Sequence, residues 1–214
     1  RFARRTEGHH TLDREGIAAL EPDLAERFDR ALHFAAEAHL APRAALAKLM
    51  CNLVGRGVEF ADSGEPEGEV IDCRGLAARD CLPELRGVRG EMVILRAPGL
   101  EIRRPVRLLH PRHPLYIVPR GEGVYMLGAT QIETGARGPA TLRSVVELLN
   151  AAYALHPAFA EAEVIEIGAD ARPAFADNMP RVFRRAGCIH VNGLFRHGFL
   201  LSPAMAIAAA DLLT

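Results

Sequence analysis

The sequence predicts an α/β (α+β) protein in which part of an α/β layer is interleaved with a largely antiparallel, mixed sheet. Three observations predict it. A helical segment followed by short apolar runs occupies residues 41–88. Four closely spaced β-rich runs follow from Arg89, and residues 173–214 return to strand, turn and helix. Helix followed by strand is the rhythm of an α/β layer, and closely spaced strands with turn signals are that of a meander. The expected segments are therefore 1–40, 41–88, 89–172 and 173–214.

The elements follow in chain order. "TLDREGIAALEP" offers Thr11 or Asp13 as an N-cap and stops at Pro22, so it reads as a short helix. "RALHFAAEAHL" fits a strand or a helix. "APRAALAKLMCNLVGRG" reads as a helix, with Pro42 in its first turn and Ala45, Leu46, Leu49 and Leu53 at helical spacing. "VEFADS" and "EVIDCRG" read as strands around a Gly/Pro/Glu turn. "GEMVILRAP", "RPVRLLHP", "PLYIVPR" and "GVYMLGATQI" form the expected meander, with "RGEG" as a hairpin turn between Tyr116–Pro119 and Val124–Gly128. "TLRSVVELLNAAYALHP" is an amphipathic helix ended by Pro157. "AEVIEIGADARPAF" and "GCIHVNGLF" read as strands, and a helix over "SPAMAIAAADLL" closes the sequence.

Bulk properties exclude more than they assign. The 214 residues are 49% hydrophobic and 25% charged, with a formal net charge of -1, ordinary for a globular protein. Such a balance gives no general attraction to nucleic acid or an anionic membrane. The basic residues are almost all arginine, Lys48 being the one lysine. Cys51, Cys73, Cys81 and Cys188 show no metal-ligand spacing, so no metal site is expected, and they fit a reducing, cytoplasmic setting. The sequence begins at Arg1 without a methionine and stops at Thr214 inside a helical run, so a longer natural protein is expected.

Three stretches carry candidate chemistry. "NGLFRHGFLLSPA" sets Arg196 and His197 among apolar flanks, with Gly193 and Gly198 on either side. Read alone, it fits an exposed strand–loop–helix crossing. It equally fits a turn laid against a flat ligand, where a helix start would offer unpaired amides and a positive dipole end. "GADARPAFADNMPRV" ends a strand on Arg172, which is either a surface arginine or a carboxylate clamp. "HPRHPLYIVPR" puts His113 and Tyr116 near the entry of a strand. No phosphate loop is visible: "GEGVYM" matches only the first two glycines of G-x-G-x-x-G and lies between strands. Ser63, Ser144 and Ser202 lack a nucleophile-elbow context.

Together these stretches resemble the FAD-dependent amino-acid oxidases of the D-amino-acid oxidase type, and within them the glycine oxidases of thiamine biosynthesis. "EVIDCRGLAARDCLPELRGVRGEMVIL" resembles the family's strand ending in glycine and its R-G-x-M crossover into the substrate domain. "YIVPRGEGVYMLGATQIE" resembles its hairpin of type Y-x-V-P-R…G-x-T. "ARPAFADNMPRV" resembles R-P-x-x-x-D-x-x-P, and "NGLFRHGFLLSPA" resembles G-x-x-R-N/H-G-x-x-L-A/S-P. The family's N-terminal strand with G-x-G-x-x-G, which holds the pyrophosphate, has no counterpart here.

The resemblance implies that residues 41–88 and 173–214 belong to an FAD-binding layer, and 1–40 and 89–172 to a substrate domain. It implies FAD contacts from Cys73, Arg74, Gly75, Arg172, Arg196, His197, Gly198, Phe199, Leu200 and Leu201. The substrate pocket would be lined by Arg172, Arg196, His113, Tyr116 and Gln131, with Arg196 and Tyr116 nearest the chemistry. The implied reaction is oxidation of glycine or another small amine to an imine with hydrogen peroxide formed. Implied partners are a small amino-acid substrate and further copies of the chain in a homo-oligomer, with no nucleic acid and no membrane. A sibling flavoenzyme (D-amino-acid dehydrogenase or sarcosine oxidase) and a cofactor-free carboxylate-binding domain are the competing readings.

Overall fold

The computed structural model describes residues 3–110 and 114–213. The chain opens with strand β1 (His10–Leu12) and helix α1 (Arg14–Leu20). Asp13 caps α1 by accepting from Gly16 N at 2.9 Å, and a 3-10 turn at Pro22–Leu24 follows. Strand β2 (Ala31–His33) pairs antiparallel with β1, His10 facing His33. Helix α2 (Pro42–Val54) starts on its proline, as expected. Strand β3 (Val70–Asp72) and a 3-10 helix (Gly75–Asp80) lead into β4 (Arg86–Arg96). Next come β5 (Val106–Leu108), β6 (Leu115–Gly121), β7 (Val124–Gly128) and the short β8 (Ile132–Glu133). Helix α3 (Leu142–Leu155), β9 (Glu163–Ala174), β10 (Arg181–Arg185), β11 (Cys188–Asn192) and α4 (Gly198–Asp211) complete the described chain.

These elements cluster into two units. The first contains residues up to Leu40 together with Glu91–Thr130 and Pro139–Gly168. Here β5, β6, β7 and the second half of β4 form an antiparallel run, with Tyr116 facing Gly128 and Val93 facing Leu127. The hairpin between β6 and β7 turns on Glu122 and Gly123, both at positive φ (52° and 69°), which matches the twist of the flanking strands. Helix α3 is capped by Thr141, whose hydroxyl accepts from Ser144 N. It buries Leu148, Ala151, Ala152 and Leu155 against Val93, Leu95, Leu115, Ile117 and Leu127, while Leu142, Val146 and Tyr153 face outward. The carboxylate of Glu91, fully buried, accepts from Thr141 N at 3.1 Å, and Thr130 bonds its backbone. One side chain thus ties the meander to the start of α3.

The second unit contains Ala41–Gly90, Gln131–Gly138 and the chain from Ala169 onward. Its sheet runs β10–β11–β3, antiparallel between the first two and parallel between β11 and β3. A two-residue turn at Ala186 and Gly187, both at positive φ, joins β10 to β11. Ala78, Leu82, Leu85 and Phe175 form its small core, with Phe183 against them. In α2, Leu46, Leu49, Met50 and Val54 are exposed. Among the described residues no helix is long and apolar enough to cross a membrane, and no cluster of His, Cys, Asp or Glu suits a metal.

Three expectations are corrected. "VEFADS" is not a strand: Val58 N instead closes the end of α2 on Leu53 O at 3.0 Å, and Val58 and Phe60 are exposed. Without a partner ladder, an apolar run has nothing to hold it extended. The stretch after Pro180, to which the sequence assigns no element, forms β10, recruited by pairing with β11. The last helix begins at Gly198, ahead of the Ser202–Pro203 start that its proline advertises.

Candidate functional site

In the second unit, the parallel strands β3 and β11 both run out into glycine-bearing turns. After β3 comes Cys73-Arg74-Gly75, with Gly75 at φ 60°, and after β11 comes Gly193 at φ 78°. Asn192, buried at the last position of β11, joins the two. Its Nδ2 donates to Gly75 O at 2.9 Å, and its Oδ1 accepts from Gly193 N at 2.8 Å. A side chain at Gly193 would run into the ring of Phe175, with Cε2 only 2.6 Å from an added Cβ. The turn after β11 is therefore fixed by its glycine and by one buried amide.

The same turn is stitched to β9. Phe195, a non-glycine residue at φ 48°, donates its N–H to Pro173 O at 3.1 Å. Left-handed backbone at a bulky residue costs on the order of 1–3 kcal/mol and persists where neighbours over-determine it. That bond sets Arg172–Pro173 beside Phe195–Arg196. Arg196, exposed, reaches Gln131 Oε1 from Nη1 at 3.5 Å. The segment carrying Gln131 is itself pinned: Ile132 pairs with Arg89, Arg89 donates to Ala136 O at 2.8 Å, and Arg137 grips both oxygens of Asp170. Those hydrogen bonds hold the Asp170 carboxyl below the usual carboxylate range, against the opposing effect of burial.

Around β3 the electrostatics are built on Arg74. It bonds Asp72 through Nε (3.1 Å) and Nη2 (2.8 Å), and Asp80 through Nη1 (2.9 Å). The Arg74 side-chain bonds hold Asp72 below its ordinary pKa although burial pushes it up. Facing Asp72 across the parallel ladder is His190, its Nδ1 3.5 Å from Asp72 Oδ2, too long for a strong hydrogen bond. His190 stacks on Phe183 at 5.6 Å. An open cleft of about 440 Å³ borders Asp72, Cys73, Arg74, Cys81, Arg185 and His190.

Helix α4 starts directly after the turn. His197 occupies its N-cap without any side-chain capping bond, and Leu201 N is the first amide to find the His197 carbonyl. The backbone donors of Gly198, Phe199 and Leu200 precede that first intrahelical bond. A Cβ added at Gly198 would meet no atom of the protein within 4 Å. Gly198 also lacks positive φ, so neither torsion nor packing within the protein demands glycine there. An open glycine beside uncapped amides fits a flat, acceptor-rich group.

The expected site residues are thus distributed as follows. Cys73, Arg74, Gly75, Gln131, Arg172, Arg196, His197, Gly198, Phe199, Leu200 and Leu201 all belong to the second unit. Tyr116 belongs to the first, where its ring lies over Gly128, Oη being 2.9 Å from where a Cβ would sit. His113 lies outside the described residues. Sequence reasoning missed Asn192, whose signal was a lone amide ending an apolar strand. It also missed Asp72 and His190, which look unremarkable until the parallel register pairs them, and it gave no role to Gly90 of the R-G-x-M stretch.

Parallel strands ending in glycine turns, with a helix start at the carboxyl end of one, define the class of α/β layers that take dinucleotide cofactors outside their strand ends. The comparison with known families is specific about which one. The family model described as FAD dependent oxidoreductase matches residues 1–212, and the chain belongs to that family. It is 56% identical over 211 residues to a thiamine biosynthesis oxidoreductase, ThiO, of Rhizobium etli, spanning 96% of this chain and 64% of the relative. It is 30% identical over 128 residues to a glycine oxidase of Geobacillus kaustophilus, spanning 58% of this chain and 33% of that one. The glycine oxidase structure from Bacillus cereus shares its fold at a TM-score of 0.81 and 21% identity, over 99% of this chain and 67% of that one. The chain therefore spans about two thirds of the length of the Rhizobium etli relative and of the Bacillus cereus structure.

Proposed function

We propose that the full-length protein is an FAD-dependent oxidase of glycine or a similarly small amino acid, acting in thiamine biosynthesis. The reading assigns the second unit to the cofactor and the first to the substrate sheet. Its residues fit the cofactor through the glycine turns at Gly75 and Gly193, the open position at Gly198 and the uncapped start of α4. When bound, FAD would supply the two-electron acceptor for oxidation at the substrate α-carbon, with oxygen as the final oxidant and hydrogen peroxide as its product.

In this reading Arg172 takes the substrate carboxylate in a charge-assisted, two-pronged pair. Arg196, held toward Gln131, flanks it. The amino group must arrive neutral so that the α-carbon can lose its hydride. Amides at the start of α4 and the helix dipole favour negative charge accumulating beside them. The imine leaves and is hydrolysed by water.

The observation that carries the reading is the backbone bond from Phe195 N to Pro173 O, which holds the two arginines on neighbouring segments at the strand ends. Fifty-six per cent identity to ThiO of Rhizobium etli supports the pathway assignment. The test is oxygen uptake by the full-length protein loaded with FAD and offered glycine, sarcosine, D-alanine, D-proline and ethylamine. Uptake with glycine, matched by an equal yield of peroxide, is expected. Uptake with none of the five would refute the reading, and turnover with an artificial acceptor alone would refute its oxidase part.

A further inference from the structure

Gly90 interrupts the middle of β4, between Arg89 and Glu91, both buried. Glycine in a strand interior is unfavourable, because it forfeits a packing side chain and loses more chain entropy than other residues. Such a glycine calls for a reason. Backbone torsion is not the reason, since Gly90 is not among the residues with positive φ. The nearest atoms are not backbone either. Close backbone crossing explains its neighbour Gly87, where an added Cβ would strike the backbone of Gly135.

At Gly90 the obstacle is a side chain. The three atoms that an added Cβ would meet first are Nη2, Nη1 and Cζ of Arg172, all well inside contact distance. β9, which carries Arg172, pairs with β4, and both residues lie in the second unit. The guanidinium therefore occupies the place where any other residue would hold its β-carbon, lying against bare backbone. We propose that Gly90 is a positioning residue: its missing side chain is the seat that fixes the Arg172 guanidinium in the orientation used to grip a substrate carboxylate. This deepens the function proposed above and rests on Arg172 having that role. A guanidinium gains affinity from presenting a rigid fork, and losing the seat frees that fork to wander.

The physical consequence is asymmetric. The displaced group is the far end of a flexible side chain, so an alanine at 90 moves Arg172 and leaves the fold intact. Gly90→Ala, Arg172→Leu and the double variant are compared in the full-length protein loaded with FAD. Gly90→Ala is expected to raise the apparent KM for glycine roughly 10-fold or more, as misplacement of a positioning group by about 1 Å does. Flavin occupancy, thermal melting and turnover of ethylamine, which has no carboxylate, should stay as in the parent. In the Arg172→Leu background the same change should add nothing to KM. An unchanged KM in Gly90→Ala, or an equal rise in both backgrounds, overturns the proposal.

A readout independent of substrate separates this proposal from the function it rests on. The rate at which phenylglyoxal modifies Arg172 in the apoprotein, followed by peptide mass spectrometry, should rise in Gly90→Ala as the guanidinium leaves its seat. No change in that rate overturns the seat, whereas Arg172→Leu with an unaltered KM overturns the carboxylate role alone. Should Gly90→Ala fail to fold, the double variant decides: it must fold, because the obstructing guanidinium is gone. Failure of both means that the glycine serves something other than Arg172.

Discussion

Substituting Gly198 separates folding from cofactor binding. The residue opens α4 without positive φ, and a Cβ there would meet no protein atom within 4 Å. Alanine thus brings no clash and removes the entropic cost of glycine in a helix, at most about 0.5–1 kcal/mol. For a chain of this size that corresponds to a rise of about 1–4 °C in the melting temperature of the apoprotein. If FAD lies against this turn, the added carbon projects into the space of the ring. Overpacking of a fitted contact costs roughly 1–3 kcal/mol, so the Kd for FAD should rise about 5- to 150-fold, more for valine than for alanine. The assay is titration of the full-length apoprotein with FAD by calorimetry, with melting of the same apoprotein as control and Ala204→Ser as a neutral comparison. Parental Kd values in both Gly198 variants would show that the turn does not touch the cofactor. A fall in apoprotein melting temperature would show that the space at Gly198 is not open.

Other perturbations address the remaining contacts. Arg172→Leu should raise the apparent KM for glycine ~10- to 100-fold, the scale of a lost charge-assisted pair, in steady-state peroxide assays; an unchanged KM leaves Arg172 a surface residue. Arg74→Gln should reduce stability most at neutral pH. Asp72 has a lowered pKa because Arg74 bonds its charged form, so that contribution is present above the unfolded value of about 3.9 and vanishes as pH falls through the lower folded value. Urea midpoints of parent and variant should differ at pH 7 and converge near pH 2, and a constant gap would contradict the assignment. Asn192→Ala removes the bond that ties β11 to Gly75 and the one that holds Gly193 N, and should cost about 1–3 kcal/mol in urea unfolding together with a weaker hold on FAD; a loss below about 0.5 kcal/mol would mean that the amide ties nothing.

Local chemistry made most of the fold legible. Asp13 before α1, Pro42 opening α2, Thr141 before α3 and the Glu122–Gly123 turn each announce an element through a capping or torsional demand that a few residues express. What stayed hidden depended on partners distant in sequence. β10 exists because β11 pairs with it, and "VEFADS" fails as a strand because no ladder receives it. The same division runs through the site. Arg172, Arg196 and Gly198 stand out by residue type beside prolines and glycines. Asn192 and Gly90 do not, since one acts on Gly75 across 117 positions and the other acts by lacking a side chain where Arg172 needs room. The start of α4 at Gly198 was masked by Pro203, which reads as a helix opening although the helix is already under way.

In the proposed reaction the full-length protein moves a hydride from a small amino acid to bound FAD, with Arg172 holding the carboxylate. Anaerobic mixing of the full-length, FAD-loaded protein with glycine tests it most directly, followed by the visible absorbance of the oxidised flavin. Glycine is expected to bleach that absorbance, Arg172→Leu to need ~10- to 100-fold more glycine for the same rate, and admitted oxygen to restore the colour with one peroxide per flavin. A flavin that keeps its absorbance with glycine, sarcosine and D-alanine alike would contradict it.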